Sequence, residues 1–261
     1  MRRNSVINTI GVALGVSLVC SILVSATVVS LNTLQKENEK RIRMRNVYID
    51  LGILREGESV SDVKERTRFF DIDMKTGREL PEDRWTGILN PEDFNVKTVA
   101  NDPEYSIEIP PEKDKAGIRR MPKYMALFSV YENDVLAKYV LPIYGSGLYS
   151  TLYGYIALGA DLKTIEGITF YEHGETPGLG GEIDNPQWKK LWKGKLAFDE
   201  EGNVIIRVIK GHVDPEKPEA RYQIDGLSGA TFTTRGVNNL VRFWLGEDGY
   251  GPFLRRERGK G

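Results

Sequence analysis

The chain has 261 residues, 40% of them hydrophobic and 28% charged, enough for one large domain or two small ones with a real core. Its 36 Lys and Arg nearly balance 37 Asp and Glu, and a net charge of -1 gives no electrostatic footprint for nucleic acid. One cysteine, Cys20, and two histidines, His173 and His212, exclude an intrachain disulfide and a cysteine- or histidine-rich metal centre.

From Asn4 to Gln35 no residue is charged. The apolar part runs from Ile10 to Leu31, and at about 1.5 Å per residue a helix of about 22 residues spans about 33 Å, enough for a bilayer core. Gly11, Gly15, Ser17 and Ser25 suit close helix packing, and they equally suit ordinary transmembrane composition. Val24-Ser25-Ala26 would serve as a signal cleavage site, but the apolar run continues past it. Val19 stands where a lipoprotein needs a small residue before its cysteine. The segment therefore reads as an uncleaved single-pass anchor. Arg2 and Arg3 before it oppose Lys36, Lys40, Arg41, Arg43 and Arg45 after it, so charge alone leaves its orientation open.

Gln35 to Leu54 reads as helix with an apolar end at Val47, Ile49, Leu51, Ile53 and Leu54. Glu56 to Met121 is charged and proline-containing, with a short helix capped by Ser59 or Ser61 and a loop over Pro103 to Lys115. From Lys123 the pattern turns strand-like. Met125–Val130, Ala137–Ile143, Tyr153–Leu158, Ile165–Tyr171 and Val204–Val208 read as strands. Asn185-Pro186 opens a short helix over Gln187 to Trp192. Thr233 or Thr234 opens the last helix, whose Val237, Leu240, Val241 and Trp244 form one apolar face before Gly246 ends it. The expected fold is α+β: one transmembrane helix, then a mixed or antiparallel sheet domain carrying an inserted α/β subdomain. The expected divisions are residues 1–35, 36–121 and 122–261.

Three elements carry chemistry. Asp225-Gly226-Leu227-Ser228-Gly229-Ala230-Thr231 stands just before an amphipathic helix, whose first amides are unpaired donors suited to a tethered phosphate. Read alone, Ser228 to Thr231 is an ordinary capped helix start, with Thr231, Thr233 and Thr234 as caps. Tyr171 to Gly181 is a glycine-rich loop that frees amides to face a ligand, with His173 more plausible as a structural histidine than as a catalyst. Gly145-Ser146-Gly147-Leu148-Tyr149-Ser150 precedes Tyr153 and Tyr155, aromatics that suit either a flavin face or sheet core.

The heptapeptide resembles the signature at which a dedicated transferase esterifies FMN to the last threonine. The three elements, in this order, resemble the C subunits of the sodium-translocating NADH:quinone reductases. The resemblance takes in the anchor, residues 35–54, Gly145 to Tyr149, Glu175 to Gly181 and Ser228 to Thr231; Tyr149 departs from it where tryptophan is expected. It implies a covalent FMN on Thr231 through a phosphodiester and a flavin domain on the periplasmic side of the bacterial inner membrane. It implies single-electron relay from an intramembrane iron centre to the flavin of the B subunit. The setting is a six-subunit complex that oxidises NADH, reduces ubiquinone and exports sodium. Its B, D and E subunits are the chief partners, and the flavin transferase acts during maturation.

On this resemblance Asp225 and Ser228 serve transferase recognition and the turn, and Gly229 and Ala230 leave room for the cofactor. Thr233 meets the phosphate, with Lys195 as a weaker charge near it. Glu175, Thr176, Gly178 and Leu179 line the isoalloxazine, and Tyr149 contacts its other side. No residue is read as catalytic or as a metal ligand. The related ferredoxin:NAD oxidoreductase complex has an equivalent flavin subunit, and the long 56–121 segment argues against it. A membrane-anchored flavin module without turnover is the third reading.

Overall fold

A computed structural model describes residues 2–55, 57–85 and 87–260 of the chain. Helix α1 (Arg2–Asp50) contains Asn8–Asn32, 25 residues of mean hydropathy 2.4 and, among the described residues, the one helical stretch long and apolar enough to cross a membrane. Contacts divide the chain into a unit up to Asn46 and another from Val47 onward. Apolar side chains of the first unit, such as Leu14, Leu18 and Val29, are exposed, as a lipid-facing helix requires.

The second unit begins with the last turn of α1. Val47, Tyr48, Leu51 and Ile53 are buried, so the apolar end of the helical pattern is core. Tyr48 meets Phe128 edge-on at 6.1 Å between ring centroids. Asp50 accepts from Thr169 Oγ1 and Lys189 Nζ, both at 2.6 Å. Helix α2 (Val60–Glu65) opens on the capping box of Ser59 and Asp62. Strand β1 (Thr67–Asp73) follows, and α3 (Val96–Asn101) is capped by the Asn95 side chain. Strands β2 (Ser106–Glu108) and β3 (Arg120–Pro122) pair antiparallel, so part of the expected 103–115 loop is strand.

Next come β4 (Tyr124–Glu132), β5 (Val135–Ser146), β6 (Thr151–Gly159) and β7 (Ile165–Glu172). With β1 they form a five-stranded antiparallel sheet in the order β1-β4-β5-β6-β7. Asn133 and Asp134, at φ 51° and 63°, make the two-residue hairpin whose twist matches its strands. Strand β1 comes from the 36–121 segment yet pairs along its length with β4, so that segment contributes an edge strand to the main sheet.

Asn185 caps α4 (Pro186–Lys190), with Pro186 in its first turn. The strand expected over Val204–Val208 narrows to β8 (Arg207–Val208), which pairs parallel with β9 (Gln223–Ile224). The reason is local: the amides of Ile205 and Ile206 both turn back to the Ala197 carbonyl. Helix α5 (Thr231–Leu245) starts before Thr233 and Thr234, because those hydroxyls bond inward instead of capping. Val237, Leu240, Val241 and Trp244 are buried as one face. A Cβ on Gly145 would lie 2.5 Å from Leu240 Cβ, so glycine lets α5 settle on β5. The last helix is α6 (Gly251–Arg258), unread in the sequence because Gly251-Pro252 resembles a breaker, although proline in a first turn starts a helix.

Candidate functional site

The site forms where the β5–β6 loop, the loop after β7 and the start of α5 meet. Thr231 is the first residue of α5 and is exposed. Its N-cap, Ala230, provides no side-chain hydrogen bond to the first turn. A helix start of this kind leaves its amides available to an anion. Gly229, at φ 71°, takes a left-handed conformation that an L side chain rarely adopts, and a Cβ there would lie 3.0 Å from Leu179 Cδ2. Gly178, at φ 76°, turns the second loop so that Leu179 is 45% exposed beside Gly229. The Thr176 carbonyl accepts from the amides of Leu179 and Gly181, closing that turn. Tyr149 is 71% exposed on the first loop.

Two of the expected site residues are buried and bonded to each other. Glu175, expected to line the ring, is only 5% exposed and faces inward. Its Oε1 accepts from the amides of Tyr149 (2.9 Å) and Ser150 (3.2 Å), and its Oε2 from that of Leu148 (3.2 Å). Thr233, expected to meet the phosphate, is 1% exposed, and its hydroxyl donates to Glu175 Oε2 at 2.5 Å. The inward orientation of both has one physical reason: the first loop and α5 bring donors to the same place, and the Glu175 carboxylate is their acceptor. Burial pushes the Glu175 carboxyl up, but the hydrogen bonds from Thr233, Tyr149, Leu148 and Ser150 outweigh it and hold the group below its ordinary range.

Asp225 pins the turn: its carboxylate accepts from the Val213 amide at 2.8 Å and pairs with His212 Nδ1 at 2.9 Å, while its carbonyl accepts from Trp188 Nε1 at 2.9 Å. Ser228 is exposed and Ala230 buried. Lys195 donates to the Ala220 carbonyl at 2.6 Å. His173 is structural, its Nδ1 accepting from the Glu175 amide and its Nε2 bonded to Asp184 at 2.8 Å. Tyr153 stacks on Tyr144 at 5.7 Å, and Tyr155 lies 6.0 Å from Phe128, so both belong to the sheet.

Two contributors escaped the sequence reading. Phe232 is 60% exposed next to Thr231, and the Arg235 guanidinium lies 5.8 Å from its ring centroid. The signal was present: Phe232 falls off the apolar stripe of α5, and an aromatic on the polar face of a helix asks for a partner. Ser150 donates to Glu175 and accepts from the Gly174 amide at 2.7 Å, a link that no spacing in the sequence announces. The arrangement offers an exposed threonine at an open helix start, flanked by apolar side chains, on a base hydrogen-bonded through Glu175. That set fits a phosphate ester carrying a flat apolar ring.

The family model described as FMN-binding domain matches residues 147–246, a span that takes in both loops and the start of α5. The C subunit of the Na(+)-translocating NADH-quinone reductase of Pseudomonas aeruginosa is 40% identical over 260 residues, covering 98% of this chain and 97% of that one. The Yersinia pestis protein of the same name is 40% identical over 261 residues, covering 98% and 94%. The crystal structure of Shewanella oneidensis NqrC aligns with a TM-score of 0.75 at 32% identity, covering 85% of this chain and 99% of that one. The chain belongs to the NqrC family, the C subunits of the Na+-translocating NADH-quinone reductases.

Proposed function

We propose that Thr231 carries FMN as a phosphodiester and that the chain works as the covalent-flavin electron-transfer subunit of a sodium-translocating NADH:ubiquinone oxidoreductase. The observation that carries this reading is the exposed Thr231 at a helix start that no side chain caps. On attachment the Thr231 Oγ–H bond and one P–O bond of the flavin nucleotide donor break, an Oγ–P bond forms and the donor's leaving group departs with the proton, so that the chain gains FMN less one water. A phosphodiester keeps one negative charge, which the helix start favours by roughly 0.3–1 kcal/mol besides direct hydrogen bonds. The Thr233 hydroxyl is engaged by Glu175, so the contribution of Thr233 to the phosphate is its backbone N–H.

Leu179, Thr176 and Gly178 line one side of the ring and Tyr149 the other, with Ser228, Gly229 and Ala230 giving room and Asp225 holding the turn for the transferase. FMN supplies one-electron redox chemistry when bound. Family membership supports the wider assignment. Residues 1–35 anchor the chain in the inner membrane, residues 36–121 form the linker and insertion, and residues 122–261 hold the flavin on the periplasmic side. The protein relays single electrons from an intramembrane iron centre to the flavin of the B subunit, beside the D and E subunits.

The test is the intact mass of the full chain made in membranes with and without the flavin transferase. The expected result is a gain of FMN less water, absent in Thr231→Val. An unmodified wild-type chain made with the transferase overturns the reading. Sodium-stimulated NADH:quinone activity in a complex that co-purifies with the chain tests the wider assignment, and ferredoxin-linked activity in its place would refute it.

A further inference from the structure

Glu175 touches all three segments of the site. Three successive amides, those of Leu148, Tyr149 and Ser150, converge on its carboxylate at 3.2, 2.9 and 3.2 Å. A run of N–H groups pointing one way is a concave anion site; here the anion is the chain's own side chain. The Ser150 hydroxyl adds a fourth donor at 3.3 Å while accepting from Gly174, which ties in the second loop. From α5 the Thr233 hydroxyl adds the fifth, two residues beyond Thr231. Glycines close the space around it: a Cβ on Gly147 would stand 2.6 Å from Oε1, and one on Gly180 2.8 Å from Oε2. Every partner donates, so an ionised carboxylate matches this socket and a protonated acid does not.

We infer that Glu175 is the positioning residue of the flavin site. It is a fixed internal anion that locks the Tyr149 loop and the 174–180 loop to the first turn of α5. It also keeps a permanent negative charge beside the redox group. The inference rests on the reading of Thr231 as the attachment point. Nearby negative charge disfavours added electrons, so Glu175 holds the flavin potential below the value that a neutral socket would give.

The test uses the full chain made with the flavin transferase, as wild type, Glu175→Gln and Glu175→Ala. Gln keeps the size, removes the charge and sets an NH2 group against donors. Its expected signature is a slower mass gain with the midpoint potential of the attached flavin moved upward. Ala empties the socket. Its expected signature is amide exchange at Leu148, Tyr149 and Ser150 faster by about tenfold or more, slower flavin attachment, and recovery of both with added acetate but not with neutral acetamide. A Gln variant with wild-type potential, or an Ala variant whose three amides exchange as in wild type, overturns the inference. If Ala does not fold, the Gln potential alone decides. A wild-type chain without the mass gain would sink the reading of Thr231, whereas amide exchange and acetate recovery need no flavin and still show whether Glu175 holds the loops.

Discussion

The flavin-site loops and the β1 edge of the sheet each bury a carboxylate, and the two have opposite fates. Glu175 lies among five donors, and its pKa is lowered from 4.5. Asp71 on β1 is 0% exposed, neither carboxylate oxygen has a hydrogen-bond partner among the described residues, and burial pushes its pKa from 3.8 to about 7. Burial is common to both; the donors decide which form of the acid is kept. The site region is thus built around a charge, whereas burial at the sheet edge shifts a carboxyl toward its protonated form.

The harshest test of this contrast leaves both carboxylates alone. Thr231→Val should remove all covalent flavin, read as intact mass, while the amide protection of Leu148 to Ser150 persists, because their anchor is Glu175. Loss of that protection would show that the flavin, and not Glu175, organises the loops.

The next effect is on pH dependence. Asp71 has a folded pKa above its unfolded one, so the native state holds the extra proton between about pH 4 and pH 7 and stability falls as pH rises through that window. The loss amounts to about 4 kcal/mol at most. Asp71→Asn should abolish that slope in urea titrations of the detergent-solubilised chain, and an unchanged slope would place the titration elsewhere. Glu175 runs the other way. Its folded pKa is depressed, so its contribution is present above about pH 4.5 and is lost as pH falls through the lowered value.

Glu175→Ala should cost about 2–3 kcal/mol at pH 7, since it strands donors that a carboxylate had satisfied. Gly180→Ala attacks the same socket sterically, because its Cβ would stand 2.5 Å from Thr233 Oγ1; about 1–2 kcal/mol is expected from the same titrations. Tyr149→Trp should change stability least, within about 0.5 kcal/mol, because the side chain is exposed and only the backbone N–H of Tyr149 reaches Glu175. A larger effect would mean that the Tyr149 ring packs against the fold.

Much of this architecture is legible in the sequence. The strands from Met125 to Tyr171 show as alternating or continuous apolar runs, and the helix over Pro186–Lys190 as Asn-Pro followed by tryptophan and lysine. The α5 stripe can be counted from the 3.6-residue period. Helix α6 escapes such a reading because glycine and proline signal both stops and starts. The start of α5 is misplaced by it because a threonine hydroxyl suits a cap until an inward acceptor claims it.

Local spacing alone placed Thr231 at the mouth of a helix and marked the N-terminal span as apolar, since caps, periods and hydropathy are properties of neighbouring residues. The role of Glu175 belongs to tertiary structure. Its partners lie 26 residues before it at Tyr149 and 58 residues after it at Thr233, and only the closed fold brings three amides and two hydroxyls onto one buried charge. The same holds for Asp71, whose sequence looks like that of any strand carboxylate until packing removes both water and partners.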